Sequence, residues 1–388
     1  MRIFVLGVGG TGSLLAQLLE RQGHTVWCGD RDIARAKRFL GKKSAIEVAD
    51  VNARNLWSIV RAARGCHLLV NCSPAVYNEI VMRAALRLKA HYMDLNSRLT
   101  RHPFKPEQLA YHRRFLQKNR AALIDTGVAP GLTDLLAKRS AELLDSTESA
   151  RIRLFEETES RDPISTWSPE VAFDAATSRP RVYRHGHFAF GKKFGEKEKF
   201  RFPPPVGETN VYLAAQDEVC TIPRSIAVRD VDAKIGGSDI EQLRRWHRRG
   251  RLNRSRGIVT KRFPKTPTPR QVAALIRRGV LLNARFAAAV IVRGKKDDAP
   301  IEVRWDAGFP TLYQIRRNGL MATPISYATA QIAALFIKHF PRDEAGVILP
   351  GQLSAESRRS ILNELRSREI RLTLKMTRLK KTDSEEDF

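Results

Sequence analysis

The stretch RIFVLGVGGTG at residues 2–12 decides the fold of this chain. An apolar run ends there in a Gly-x-Gly-x-x-Gly sequence, and residues 13–19 follow it with apolar side chains at helical spacing. In this setting the first glycine permits a tight turn, the second lets a phosphate approach the backbone, and the third lets helix pack on strand. The first amide groups of the helix then face the phosphates. The pattern predicts a strand–turn–helix unit that binds a dinucleotide through Gly7, Gly9, Gly10, Thr11 and Gly12.

An acidic residue stands where the second predicted strand ends. Asp30 lies 23 residues after Gly7, close to the spacing of about 20 that is typical of an acid on the adenosine ribose. Its carboxylate would repel a 2′-phosphate, which favours NAD. Arg31 comes next, however, and a guanidinium can accept a 2′-phosphate. The sequence therefore favours NAD as cofactor and leaves NADP open.

Residues 1–145 alternate short β-rich runs with longer segments that have apolar residues at helical spacing. Six such strand–helix repeats predict an α/β domain of the Rossmann type, a doubly wound parallel sheet with crossover helices. Ligands of such a sheet bind outside the carboxyl ends of its strands. The turns that follow the strands are therefore the places to search for function.

After residue 145 the alternation stops, and strand-like runs are broken by Pro and Gly. We expect residues 146–315 to form an inserted α+β domain with a mixed sheet that holds the substrate. Within it, residues 286–292 and 301–305 predict a hairpin with a charged tip. Residues 316–374 are expected to pack back on the first domain, and the charged tail 375–388 is expected to fray.

The overall composition is that of a folded protein with a basic surface. Of 388 residues, 43% are apolar and 28% are charged, which argues against wholesale disorder. Lys and Arg number 68 against 41 Asp and Glu, a net charge of +27 that favours anionic partners. Residues 242–265 hold ten of these cations, with Trp246 and His247 among them. This segment permits a nucleic-acid patch, but basic residues occur in every segment, so a solvated surface is favoured.

Several classes of protein are disfavoured by what the sequence lacks. The four cysteines form no Cys-x-x-Cys pair and lie in no histidine cluster, so neither a disulfide framework nor a metal site is predicted. The apolar run that begins at Ile3 ends too soon for a signal peptide. No stretch approaches about 18 consecutive apolar residues. We therefore expect a cytoplasmic protein without a membrane segment.

Three later segments resemble the saccharopine dehydrogenase-like family: HYMDL at 91–95, TGVAPGLT at 126–133 and TWSPE at 166–170. The resemblance extends to the block after residue 319 and covers almost the whole chain except about residues 240–270. It implies oxidation of a carbon–nitrogen bond of an amino acid to an imine by hydride transfer to a nicotinamide, then hydrolysis, or the reverse. Saccharopine, giving aminoadipate semialdehyde and glutamate, is the first substrate to consider. Lysine 6-dehydrogenase and carboxynorspermidine dehydrogenase are the alternatives.

The resemblance also assigns candidate catalytic residues. Asp94 matches the family's active-site aspartate, which would orient the substrate amine or hold its charge; the alternative is a turn cap, because Asp commonly closes turns at strand ends. Thr126 stands where fungal saccharopine reductases have a cysteine. This difference puts in doubt any role that requires a thiol.

Further positions follow from the same resemblance. Asn71 and Ser73, and Gly127 with Pro130, resemble backbone that faces the coenzyme. Trp167 and Ser168 resemble a pair that faces the substrate, although a buried core indole is the alternative for Trp167. Arg224 is a candidate clamp for a substrate carboxylate.

Two classes of function stay open. The chain is either an amino-acid dehydrogenase with a small-molecule substrate, or a dinucleotide-binding sensor whose basic face associates with RNA or DNA. The first is favoured. A homodimer is expected in either case, since closed dimers are the commonest oligomers.

Overall fold

The computed structural model describes residues 1–42, 44–162, 164, 177–250 and 266–380, and in these residues the strands form two sheets. The first sheet is parallel, with strand order β15-β6-β5-β4-β1-β2-β3. Its strands are β1 (Arg2–Leu6), β2 (Thr25–Asp30), β3 (Val48–Asp50), β4 (Leu68–Asn71), β5 (His91–Asp94), β6 (Ala121–Leu123) and β15 (Gly346–Ile348). The order 3-2-1-4-5-6 is that of the Rossmann fold, so the predicted α/β class is confirmed.

Helices cover both faces of this sheet. They are α1 (Gly10–Arg21), α2 (Ile33–Leu40), α3 (Leu56–Ala62), α4 (Asn78–Leu88), α5 (His112–Gln117) and α6 (Leu132–Ala141). Strand β1 shows why its sequence is an unbroken apolar run. Ile3 and Val5 enter one core cluster, while Phe4 and Leu6 enter a second cluster on the opposite face. A strand buried on both sides needs apolar side chains at every position.

The second sheet is mixed, with the order β10-β11-β12-β7-β13-β14-β16 and with β8 and β9 attached to β12. Its strands are β7 (Ser146–Ser160), β8 (Arg181–Arg184), β9 (His187–Phe190), β10 (Glu198–Phe202), β11 (Gly207–Leu213), β12 (Asp230–Gly236), β13 (Leu281–Lys296), β14 (Ala299–Gly308) and β16 (Arg371–Arg378). Among these, β7 and β12 are parallel neighbours. One face of the sheet, including Ile152 and Val290, joins the core cluster that contains Leu135 of α6.

The helices of the second half connect the two sheets. They are α7 (Glu218–Thr221), α8 (Ser238–Arg248), α9 (Pro269–Arg277), α10 (Leu312–Arg317), α11 (Pro324–Lys338) and α12 (Ala355–Glu364). Helix α11 packs against α1, and β15 then adds to the first sheet beside β6. Residues 324–348 thus pack against the first sheet and its helix α1.

The structure differs from the sequence predictions at two places in the second sheet. The hairpin of β13 and β14 is longer than expected, and its turn is reduced to Asp297 and Asp298, both with positive φ. Strand β16 pairs with β14 along its whole length, so residues 371–378 belong to the second sheet and the predicted frayed tail does not begin at residue 375. Alternating Leu372, Leu374 and Met376 provide the period of two that pairing requires.

Candidate functional site

The glycine turn after β1 has the geometry that a bound diphosphate requires. A Cβ added to Gly7, whose φ is +94°, would lie 2.7 Å from the backbone nitrogen of Ser73, and one added to Gly12 would lie 1.9 Å from the Gly7 carbonyl oxygen. A Cβ on Gly9 would meet no atom within 4 Å. Gly7 and Gly12 are therefore required by close packing, while Gly9 leaves its backbone open at the start of α1. A dinucleotide phosphate fits there.

Gly10 has a different environment from the one predicted. A Cβ on Gly10 would lie 2.8 Å from Oγ of Ser326, so the residue faces the first turn of α11. Its absent side chain lets two helices approach. Thr11 follows in the first turn of α1 and is partly exposed, which leaves its predicted contact with the coenzyme available.

Asp30 closes the glycine turn against the end of β2. Its Oδ2 accepts the Val8 N–H at 2.8 Å and its Oδ1 accepts the Asp32 N–H at 3.0 Å. The residue is only partly buried, and each carboxylate oxygen has a second lone pair. A ribose hydroxyl can therefore bind beside the backbone amides. Arg31 is exposed next to it, so the structure keeps both features that bear on the choice of NAD or NADP.

The turn after β4 adjoins the glycine turn. Asn71 is buried, and its Oδ1 accepts from both the backbone N–H and the hydroxyl of Ser73. The amide nitrogen of Asn71 donates to Oδ1 of Asn78 at 2.8 Å. These bonds hold residues 71–73 against Gly7, as a coenzyme-facing turn requires.

Asp94 is buried at the end of β5, and protein donors occupy both of its oxygens. Oδ2 accepts the Tyr92 hydroxyl at 2.9 Å and the Gln108 amide at 3.1 Å, and Oδ1 accepts the Asp125 N–H at 2.9 Å. The hydroxyl of Thr126, also buried, donates to the Asp94 carbonyl at 2.6 Å. This geometry favours the turn-cap interpretation of Asp94. Its predicted action on a substrate amine stays a prediction.

Asp94 is one of five carboxyl groups that meet where the two domains join. This acid cluster consists of Asp94, Asp125, Asp134, Asp217 and Glu218. Four of its members are buried, and Asp217 is partly exposed. They come from the ends of β5 and β6, from α6 and from the start of α7.

Hydroxyl groups connect the cluster across the domain boundary. Ser97 Oγ donates to Asp125 at 2.6 Å, and the Ser97 N–H donates to Asp217 at 3.1 Å. Thr133 of α6 donates to Glu218 at 3.1 Å, and Thr221 of α7 donates to Asp134 of α6. Within the described residues, Oδ1 of Asp125 and Oε2 of Glu218 have no hydrogen-bond partner.

Burial raises the pKa values of these acids toward neutral pH. Desolvation, with the charges of Asp134 and Asp217 adding to it, raises the pKa of Glu218 to about 8. Desolvation likewise raises the pKa of Asp134 to about 6, against the hydrogen bond from Thr221. The pKa values of Asp94, Asp125 and Asp217 are also raised by desolvation. The cluster is thus a set of acids with perturbed pKa at a ligand-bearing sheet edge, which is typical of functional sites.

Asp125 is a member of the site that sequence reasoning missed. Its φ is +62°, a conformation that costs energy for a residue with a side chain and that often marks functional positions. The signal was available, because Asp125 follows β6 as Asp94 ends β5. The next turn is closed by Gly131, whose φ is +127° and where a Cβ would lie 2.2 Å from the Gly127 carbonyl oxygen. Gly127 and Pro130 thus shape the turn beneath the predicted coenzyme position.

Of the three residues predicted to contact the substrate, the structure describes only Arg224. Trp167 and Ser168 lie outside the described residues. Arg224 donates to the Phe104 carbonyl at 3.1 Å and lies over the Phe188 ring. It therefore connects the turn after β5 to the second domain, and its predicted contact with a substrate carboxylate stays a prediction.

The basic segment is described only up to residue 250. There Arg244 pairs with Glu241 at 2.9 Å and lies over the Tyr212 ring, 3.7 Å from its centroid. This cation is used within the fold, whereas residues 251–265 lie outside the described part. Nothing in residues 242–250 adds to the nucleic-acid hypothesis.

Comparison with known proteins finds one matching family and several solved structures with a similar fold. Residues 3–123 match the family described as the saccharopine dehydrogenase NADP binding domain. The fold is similar to that of apo saccharopine dehydrogenase (L-Glu forming) from Saccharomyces cerevisiae, with a TM-score of 0.69 and 11% identity over 97% of this chain and 99% of that one. DAP dehydrogenase of C. glutamicum in complex with DAP gives a TM-score of 0.45 and 13% identity, over 95% and 99% of the two chains.

The first sheet is accordingly an NAD(P)-binding domain. Among the described residues, no three His, Cys, Asp or Glu side chains, those of the acid cluster included, are arranged so that they could hold a metal ion. No described helix has the length and apolar character to cross a bilayer.

Proposed function

We propose that this saccharopine dehydrogenase-like chain, an NAD(P)-dependent dehydrogenase, acts on the carbon–nitrogen bond of an amino acid. The observation that supports this function is the acid cluster at the carboxyl edge of the sheet. Its members Asp94 and Asp125 follow β5 and β6, two and three strands from β1, which leads to the open backbone of Gly9. Oxidation of an amine needs a group that takes a proton from nitrogen beside the group that takes the hydride. The acid cluster would take the proton, and a coenzyme bound at the glycine turn would take the hydride.

The reaction balances with few parts. A bound nicotinamide would supply the acceptor for the hydride that leaves the carbon next to nitrogen, and a carboxylate of the acid cluster takes the amine proton. Water adds to the resulting imine, the carbon–nitrogen bond breaks, and a carbonyl compound and an amine are released. With saccharopine the products are aminoadipate semialdehyde and glutamate; the reverse reaction condenses and reduces them.

The residues of this chain have distinct tasks in that scheme. Gly9 and the first turn of α1 bind the diphosphate, and Asp30 binds the adenosine ribose. Asp217 is the partly exposed member of the acid cluster, and we assign to it the first contact with the substrate amine. Asp94 positions Asp125 and Thr126 through its hydrogen bonds.

Coenzyme absorbance at 340 nm tests the proposal directly. Saccharopine, lysine and carboxynorspermidine are each supplied with NAD⁺ and with NADP⁺, and the semialdehyde plus glutamate with the reduced coenzymes. We expect turnover with one of these amines, saccharopine first, and a loss of at least about tenfold in Asp217→Asn if its carboxylate takes part in proton transfer. Asp343→Asn, an exposed acid on the opposite edge, is the matched control. Coenzyme binding without turnover of any of the three would reject the substrate class and leave the coenzyme site intact.

A further inference from the structure

A row of basic side chains lines the amino edge of the first sheet, opposite the coenzyme edge. From β6 to β2, in their order in the sheet, the residues at or just before each strand start are Arg120, His91, His67, Arg2 and His24. Backbone hydrogen bonds place them in register, since the His91 N–H donates to the His67 carbonyl and the His67 N–H donates to the Arg2 carbonyl. Neighbouring strands lie about 4.8 Å apart. We call these five residues the amino-edge row.

At the centre of the row, two donor groups of Arg2 meet the imidazole of His67, and both side chains are exposed. Nδ1 of His67 lies 3.3 Å from the Arg2 backbone nitrogen, and its Nε2 lies 3.3 Å from Nη2 of Arg2. Both Arg2 groups are donors, while a neutral imidazole has one donor and one acceptor nitrogen. Either tautomer of His67 therefore sets one N–H against another. Because both residues are exposed, an oxygen of water or of an anionic ligand can accept from the N–H groups that face each other.

The surroundings of this contact are cationic. Arg342 is exposed in the turn after α11, and in addition to desolvation its positive charge lowers the pKa values of His24, His67 and His91. The pKa of His67 is lowered by desolvation and then by Arg2, the Met1 amino group and Arg342. The pKa of His91 is lowered to about 4, by desolvation and then by Arg120 and Arg342. Asp343 and Glu344 follow Arg342, but within the described residues neither Arg2 nor Arg342 forms an ion pair with a carboxylate.

We propose that the amino-edge row, with Arg342, binds a polyanion through phosphate-type oxygens, and that Arg2 and His67 hold one oxyanion between them. Charge-assisted hydrogen bonds from guanidinium to phosphate are strong and geometrically selective. Five positions at the strand spacing span roughly 19 Å, which suits several linked phosphate groups better than a single one. Because a bound anion offsets the cations that lower the histidine pKa values, binding should strengthen as the pH falls.

The site is separate from the coenzyme site and does not depend on the proposed function. The five residues of β1 separate the two edges by roughly 16 Å, so both ligands can be bound at once. Titration calorimetry with tripolyphosphate at low ionic strength, with reduced coenzyme present, measures binding outside the coenzyme site. Displacement of tripolyphosphate by the coenzyme would place the ligand at the glycine turn and overturn the proposal.

Two charge-matched variants make the test specific. Arg2→Gln with Arg342→Gln removes two cations of the site, and Arg371→Gln with Lys375→Gln removes two exposed cations of β16. We expect the dissociation constant to rise on the order of tenfold or more in the first variant and to stay within about twofold in the second. Equal weakening in both variants would show a diffuse surface charge and refute the site. Because Arg342 lies outside the sheet, the single variant Arg342→Gln repeats the test if the double variant folds poorly.

A second arm identifies the source of the phosphates. A labelled oligothymidylate is followed by fluorescence anisotropy with the same variants and over a range of salt concentrations. Weakening of both ligands in the Arg2 and Arg342 variant supports the site with a nucleic-acid strand as its ligand, and weakening of tripolyphosphate alone supports it with free polyphosphate. Failure of the wild-type protein to bind either ligand at low salt would reject the proposal.

Discussion

Glu218→Gln tests whether the acid cluster is protonated in the folded protein. In the fold this carboxyl is buried and its pKa is raised from 4.5 to about 8. It is therefore neutral at pH 7 in the folded state and ionised in the unfolded state. Because the folded pKa is the higher one, the unfolded state gains stability as pH rises from about 4.5 to about 8, and the free energy of unfolding falls over that window.

The size of the effect follows from the same window. Each pH unit between the two pKa values changes the free energy of unfolding by about 1.4 kcal/mol, so this carboxyl alone costs the folded state roughly 3 kcal/mol at pH 7 and 4 to 5 kcal/mol above pH 8. Glutamine cannot ionise, and it keeps an acceptor for the Thr133 hydroxyl. We expect the variant to match or fall slightly below the wild type near pH 5 and to be several kcal/mol more stable near pH 8.

Urea unfolding followed by tryptophan fluorescence, at pH values from about 5 to 9, measures this difference. Glu344→Gln, which removes an exposed carboxylate, is the control and should show no difference that depends on pH. A stability difference between Glu218→Gln and the wild type that stays constant over the whole range would refute the reasoning, because it would mean that Glu218 is ionised in the fold.

Three further predictions concern the coenzyme and substrate edge. Gly9→Ala should change the free energy of unfolding by no more than about 0.5 kcal/mol, because a Cβ there meets no atom, yet it should weaken coenzyme binding at least about tenfold by blocking the diphosphate. Gly12→Ala should instead lower the melting temperature. The reverse pattern in calorimetry and thermal unfolding would mean that the two glycines have been assigned incorrectly. Asp30→Ala should weaken NAD more than NADP, measured by titration of each, while equal losses would limit the acid to its bond with Val8. Asp94→Asn should reduce turnover with little change in coenzyme affinity if the carboxylate acts on the amine; unchanged kcat with a stability loss of roughly 1 to 3 kcal/mol would establish it as a cap.

One residue, Arg181, both joins the two domains and affects the pKa of an acid in the cluster. Arg181 of β8 donates to the carbonyls of Leu99 and Pro103 and lowers the pKa of Asp217, against the larger effect of desolvation. The turn after β5 is thereby held against the second domain. A substrate that enters between the domains would meet Asp217 before the buried acids, which is why that residue is the sensitive position for the assay.

Local sequence determined the first domain and its coenzyme turn. The apolar run of β1, the three spaced glycines and Asp30 at the end of β2 are all features of short segments, and hydrogen bonding within one strand–turn–helix unit is enough to place them. The same is true of the hairpin of β13 and β14, whose period of two is visible in the sequence. The predicted strands, turn and hairpin form because each depends on neighbours a few residues apart, and the coenzyme contacts of the glycines and Asp30 stay predictions.

Only the tertiary structure decided which acids come together and what their pKa values are. Asp94 and Glu218 are 124 positions apart in the chain, and only the packing of α7 against α6 and the ends of β5 and β6 brings their cluster together. Burial, which raises their pKa values, is likewise a property of the whole fold. Arg224 and strand β16 show the same limit: their partners, the Phe104 carbonyl and β14, are distant in sequence. No local pattern of residues records a contact that forms only when distant segments pack.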